Sequence, residues 1–107
     1  TRTGTMNTEV SLRSPTPFST QADHQVALVI DGGAMSMQLY IDAVQNGQVQ
    51  LRVGLGAIND VNNWLGRSQW RQDFNLPGRY DEFRIYAQAL SPAELARLYE
   101  LGPDVIE

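Results

Sequence analysis

Residues Leu76–Tyr99 read "LPGRYDEFRIYAQALSPAELARLY", an alternating segment that runs with almost no loop into a short, heavily punctuated helix. In Arg79–Ala87, Asp81, Phe83, Ile85 and Ala87 fall on one side and Tyr80, Glu82, Arg84 and Tyr86 on the other, the period-two pattern of a half-buried strand. Ser91 then stands as N-cap, Pro92 takes the first helical position and Glu94 completes a capping box, with Leu90 and Leu95 at the staple positions. Gly102 and Pro103 stop the helix. A cap contributes about 1 kcal/mol. That is enough to fix a short helix whose Leu95, Leu98 and Tyr99 share one side and must pack on something.

Upstream, "HQVALVID" (His24–Asp31) carries the apolar run Val26 to Ile30, which suits a central strand covered on both faces. Asp31-Gly32-Gly33 supplies the positive-φ residues of a hairpin. "MQLYID" (Met37–Asp42) returns with Leu39 and Ile41 on one face and Gln38, Tyr40 and Asp42 on the other. Asn46-Gly47 is a second hairpin signal, after which Val49, Leu51, Val53 and Leu55 alternate in "QVQLRVGLG" (Gln48–Gly56). Past the polar loop "NDVNN" (Asn59–Asn63), "WLGRS" (Trp64–Ser68) is a further short strand. The first 23 residues, rich in Ser, Thr and Pro, read as a lead-in with one strand around Met6–Leu12 and a turn-prone stretch after it. Five or six strands, spaced about ten residues apart and closed by one helix, predict an all-β antiparallel β-sandwich with a short C-terminal helix.

The chain has 107 residues, one domain's worth, and at this size folding buries roughly two thirds of the unfolded surface. With 42% hydrophobic and 19% charged residues it is globular, and no apolar run approaches the roughly 20 residues of a bilayer crossing. No membrane insertion is expected. Twelve acidic residues face eight basic ones, all arginine and none of them clustered, for a net charge of -4. Nucleic acid is therefore not an expected partner, because neutralising phosphates takes a clustered basic face. Cysteine is absent, which excludes disulfides, a thiolate nucleophile and sulfur-ligated zinc. The opening "TRTGTMNTEV" has neither an initiator Met nor a signal sequence, so Thr1 is expected at a processing boundary.

The closing residues Gly78, Tyr80, Asp81, Glu82, Phe83, Arg84, Ile85, Tyr86, Ala89, Leu90, Ser91, Pro92, Glu94, Leu95 and Tyr99 resemble the terminal signature of a known family. It is that of the laminin G-like, concanavalin A-like jelly-roll modules, in their bacterial and pentraxin-related branch. "HQVALVID", "LYID" and "WLGRS" are similar to that family's His-x-Val-Ala strand, Leu-Tyr-Val-Asp hairpin strand and Ile-Gly-Arg-Ser element, in the same order. Ala43 departs from it: the family turns there on Asp-Gly, and Asn46-Gly47 is expected to make the turn slightly later. The resemblance spans about His24 to Leu101. It implies that residues 24–107 form the C-terminal half of a laminin G-like domain, behind a lead-in of residues 1–23. Leu28, Phe83 and Ile85 should then face a second sheet that is only partly supplied here, leaving apolar area and strand edges uncovered. Either another polypeptide segment or chain completes the sandwich, or the chain closes a smaller one by itself.

Among candidate site residues, Asp81 lies on the same strand face as Phe83 and Ile85, where a bare carboxylate is costly. The resemblance makes Asp81 a Ca²⁺ ligand, an ion that takes oxygen donors; hydrogen bonds to backbone amides, Arg79 or Arg67 are the plain alternative. In "NDVNN", Asn62 and Asn63 offer oxygens to sugar hydroxyls or a cation, although Asn also simply forms turns. Trp70, Trp64 and Tyr40 are rings that could stack on a sugar; Trp64 reads as core, and Trp70, between Gln69 and Arg71, as the exposed one. His24 is the only histidine, so a Ser-His-Asp arrangement would have to pass through it. Glu82 and Glu94 resemble paired glycosidase carboxylates only superficially. One belongs to a solvent face and the other to a capping box, and the Glu-x-Asp-x-x-Glu strand of catalytic relatives does not occur. An N-terminal threonine can act as a nucleophile, but nothing beside Thr1 supports that.

The expected protein is a non-catalytic recognition module that binds carbohydrate or a protein surface, with Ca²⁺ as the one cofactor the resemblance admits. It would belong to an exported bacterial multidomain protein, secreted, periplasmic or on the cell surface. The alternative is a processed structural subunit or accessory domain of a larger secreted enzyme.

Overall fold

Three strands, β1 (Val26–Asp31), β2 (Ser36–Ile41) and β3 (Val44–Gln50), form one antiparallel sheet in the order β1-β2-β3. The computed structural model describes residues 10–15, 19, 21–57, 65, 72 and 78–103. β1 was expected at the centre of a sheet, but among the described residues it pairs on one side only, and β2 is the strand covered from both directions. The difference shows in burial: Val26 and Leu28 are more than half exposed, whereas Ser36, Met37, Tyr40 and Ile41 of β2 are all buried.

The two hairpins lie at the expected junctions but turn by different chemistry. Between β1 and β2 the positive φ belongs to Met35 (φ 52) and not to Gly32 or Gly33. Asp31 Oδ1 accepts from the N–H groups of Gly33 (3.0 Å) and Ala34 (3.1 Å), closing the start of a four-residue loop. The left-handed residue then comes last, where the Met35 carbonyl accepts from Leu51 N–H at 2.7 Å. Between β2 and β3 the turn falls on Asp42 (φ 51) and Ala43 (φ 66), the doubly positive pattern of a two-residue type I′ hairpin. Asn46-Gly47 is not a turn at all. It lies inside β3, where Gly47 pairs with Leu39 and Gln45 with Tyr40, so Asn46 is the extra residue of a β-bulge. The strand predicted over Gln48–Gly56 accordingly starts four residues earlier and ends at Gln50, and Leu55–Ala57 makes a single 3₁₀ turn.

Each sheet face has its own cover. On one, Met37 sits between its cross-strand partners Ile30 and Val49 and packs with buried Val10 and Leu51 and with Leu12 and Met35. The lead-in thus supplies Val10 and Leu12 to this core, although Val10–Leu12, the described part of the expected Met6–Leu12 strand, lie outside regular secondary structure. A Cβ added to Gly47 would stand 3.0 Å from Leu12 Cδ1 and 3.3 Å from Arg13 O, and Ser14 Oγ donates to Asn46 Oδ1 at 2.8 Å. The bulge and the missing side chain are what let the lead-in cross β3 so closely.

The other face is closed by helix α1 (Pro92–Leu101). Val29, Tyr40 and Leu95 are buried together, with Ala27 and Leu90 against them, so the staple pair Leu90 and Leu95 docks the helix on β1 and β2. The capping box is formed: Glu94 N–H donates to Ser91 Oγ at 3.2 Å and Ser91 N–H to Glu94 Oε1 at 3.1 Å. Gly102 ends the helix at φ 83, its N–H donating to Leu98 O at 3.2 Å.

Residues 79–87, predicted as a strand, are not one. Phe83 is 61% and Ile85 83% exposed, and it is Arg84, from the supposedly outward face, that is half-buried. Its Nε donates to Glu82 Oε1 at 2.6 Å and its Nη2 to Pro103 O at 2.8 Å, tying the segment to the far end of α1. Alternation alone does not make a strand: a ladder partner is needed, and none pairs with this segment among the described residues.

Candidate functional site

Among the described residues, the most connected polar cluster sits at the end of the sheet where β1 begins. Asp42, at the β2–β3 turn, accepts from Gln25 N–H at 2.9 Å through Oδ1, and its own N–H donates to Gln25 O at 2.8 Å. Its Oδ2 lies 2.7 Å from His24 Nδ1, and His24 Nε2 lies 2.8 Å from the carbonyl oxygen of Ser19. The hydrogen bond that His24 donates to Asp42 raises the imidazole pKa above the usual 6.5, outweighing partial burial, and the Ser19 carbonyl and the charge of Asp23 act in the same sense. Burial pulls the Asp42 carboxyl upward, but the bonds from His24 and Gln25 prevail and hold it below the usual 3.8. Chemically this is a clasp and not a catalytic dyad. A general base needs a ring nitrogen aimed at a nucleophile's hydroxyl, and here the second nitrogen faces a backbone carbonyl. The Ser19 hydroxyl is occupied separately, accepting from Gln21 N–H at 3.1 Å. From the sequence, His24 stands out only as the single histidine, and nothing there pairs it with Asp42. Only pairing of β1 with β2, which puts Val26 opposite Ile41, brings the two together.

A second feature the sequence did not announce is an open recess of about 430 Å³ between α1 and the segment before it, lined by Tyr86, Leu90, Ala93, Glu94, Arg97 and Leu98. Tyr86 is partly exposed at its mouth. Glu94 is already held in the capping box and Glu82 by Arg84, so neither carboxylate is poised as a glycosidase acid or base.

The predicted ligand residues do not converge among the described residues. Tyr40 is only 4% exposed, packed with Val29 and Leu95, and its hydroxyl donates to Gln38 Oε1 at 3.4 Å; its ring offers no face to a sugar. Asp81 is not buried on an apolar face: its side chain is 50% exposed, with Arg79 Nε at a loose 3.8 Å. Among the described residues no three His, Asp or Glu side chains gather closely enough to hold a metal ion. Trp70, Asn62, Asn63 and Trp64 lie outside the described residues, and of "WLGRS" only Leu65, which is exposed, is among them. No described helix is long and apolar enough to cross a membrane.

Comparison with solved structures finds an S-layer domain-containing protein from Clostridium thermocellum, in its residues 221–444, at a TM-score of 0.61 and 23% identity. The alignment covers 80% of this chain and 43% of that one, so the chain spans less than half the length of its structural neighbour. Comparison with the curated proteins finds no match. A laminin G family profile, described as the concanavalin A-like lectin/glucanases superfamily, matches residues 1–96. By that match, which takes in about nine tenths of its length, the chain belongs to the concanavalin A-like lectin/glucanases superfamily and carries a laminin G-like domain.

Proposed function

We propose that this chain is a non-catalytic recognition module of a larger exported bacterial protein, binding carbohydrate or a protein surface. The observation that carries this reading is membership in a superfamily of lectins and glucanases, combined with carboxylates that are engaged structurally. Affinity on such a scaffold comes from loop rings and amides held on a rigid sheet, which keeps Trp70, Asn62 and Asn63 as the ligand candidates. Tyr40, buried beneath α1, drops out of that group. Calcium, through Asp81, remains part of the proposal as an exposed rim ligand completed by oxygens from elsewhere. The neighbour's description as an S-layer domain-containing protein supports a place at the cell surface.

A glycan array probed with wild type and Trp70→Ala, each with and without chelator, tests the reading. Sugar binding by wild type that falls at least about tenfold in Trp70→Ala matches the stacking role, and chelator sensitivity matches calcium. No sugar bound by either protein removes the lectin reading.

A second reading, as a structural accessory domain or subunit, has its own support. Val26, Leu28 and Val44 leave part of the lead-in-side sheet face uncovered, and Phe83 and Ile85 are exposed as well. Under it, another polypeptide segment or chain supplies the facing layer and completes the sandwich. The coding sequence upstream of Thr1 separates the two: a catalytic domain together with the complementary half of the fold there favours the accessory role.

A further inference from the structure

We infer that His24, Asp42 and the Ser19 carbonyl form a proton-dependent clasp that fastens the lead-in to the β2–β3 turn in its imidazolium form and loosens it when that proton leaves. Both ring nitrogens face atoms that can only accept: a carboxylate oxygen at 2.7 Å and a backbone carbonyl oxygen at 2.8 Å. A neutral imidazole has one N–H, so in that form one contact loses its proton and becomes an approach of two lone pairs. The imidazolium satisfies both. The ring is well placed to respond, being half-buried, with Asp42 on the turn and Asp23 on its own segment as the charged groups that raise its affinity for the proton.

When the proton leaves, Nδ1–H stays on the charged Asp42, because a carboxylate is the stronger acceptor. The Ser19 carbonyl is the contact that goes. Ser19 then loses its tie to the ring, while Val10, Leu12 and Ser14 still pack on Met37, Leu51 and Asn46. The signs follow from linkage. His24, raised in the folded chain, contributes fully below its usual 6.5, and that contribution is lost as pH rises through the folded value. Asp42, lowered, contributes above its usual 3.8 and loses this as pH falls through its folded value. The clasp is therefore tightest between about pH 4 and pH 6.5.

Because His24 is the only histidine, its imidazole resonance identifies itself in an NMR titration of the full chain. The expected midpoint lies above 6.5 in wild type and moves down in Asp42→Asn. Urea unfolding supplies the second readout, with wild type referred to His24→Gln at each pH to cancel the titration of all other groups. The folding equilibrium constant of wild type relative to that variant should fall severalfold between pH 6 and pH 8.5. A wild-type titration midpoint at or below 6.5, or a ratio to His24→Gln that does not change with pH, overturns the clasp. Neither measurement depends on Asp42→Asn folding.

Discussion

At the residue scale, the turn chemistry departs most from what local sequence preferences dictate. Ala43 occupies φ 66, a region that costs a residue with a Cβ about 1 to 2 kcal/mol, yet the hairpin still turns there and not at Asn46-Gly47. What holds it is Asp42, fixed by Gln25 through two backbone contacts and by His24 through a third. Moving the turn would break all three and would slip Ile41 and Met37 out of register with Val44 and Val49. The strain is local and removable. Ala43→Gly should raise stability by about 1 kcal/mol, somewhat less after the extra freedom of glycine in the unfolded chain is subtracted. A urea unfolding curve checks this: the midpoint moves up with an unchanged slope, and a lower midpoint refutes the strained-turn account. Met35, also at positive φ, is a poor site for the same change because its side chain packs against Met37 and Leu51.

Among the elements, the helix was legible in full and the last expected strand was not, and the contrast has a physical basis. Every signal that starts α1 is made within six residues, Ser91 with Glu94 and Leu90 with Leu95, so the chain's own neighbourhood suffices to specify it. Strand formation over 79–87 depends on a ladder partner from elsewhere, and alternation of Phe83 and Ile85 with Arg84 reports only a capacity for two faces. Asn46-Gly47 failed as a turn signal because a bulge and a close crossing call for the same small, adaptable residues. The candidate site was less legible still, since His24 and Asp42 are 18 positions apart and meet only through the β1–β2 register. Two substitutions separate the helix's local and tertiary supports. Ser91→Ala removes the cap and should cost about 1 kcal/mol. Leu95→Ala opens a gap against Val29 and Tyr40 and should cost about 2 to 4 kcal/mol. Thermal unfolding followed by circular dichroism should rank them in that order. Equal losses would mean that the helix stands on its cap and contributes little to the sheet.

For the whole molecule, the distribution of uncovered apolar surface matters more than its amount. Val26, Ile41 and Val44 form one cross-strand row, and Leu28 pairs with Leu39 in the next. Ile41 at the centre is buried, whereas Val26, Leu28 and Val44 around it are more than half exposed. Val10 and Leu12 of the lead-in cover the opposite end of this face, over Met37 and Gly47. The sheet is thus closed by the helix on one side and only partly closed on the other, with β1 presenting a free edge among the described residues. An apolar strand edge of this kind invites further pairing. The isolated chain should therefore associate as its concentration rises, in sedimentation velocity at neutral pH. Leu28→Lys combined with Val44→Lys places charges on the patch without touching the buried Met37 or Tyr40 clusters, so the folded state should change by no more than about 0.5 kcal/mol per exposed site. That variant should remain monomeric across the same concentrations. Association that is equally strong in the variant would locate the contact elsewhere, with Phe83 and Ile85 next to be replaced. A wild type that stays monomeric throughout would mean that this face does not seek a second layer, removing the main support for a sandwich completed by another polypeptide.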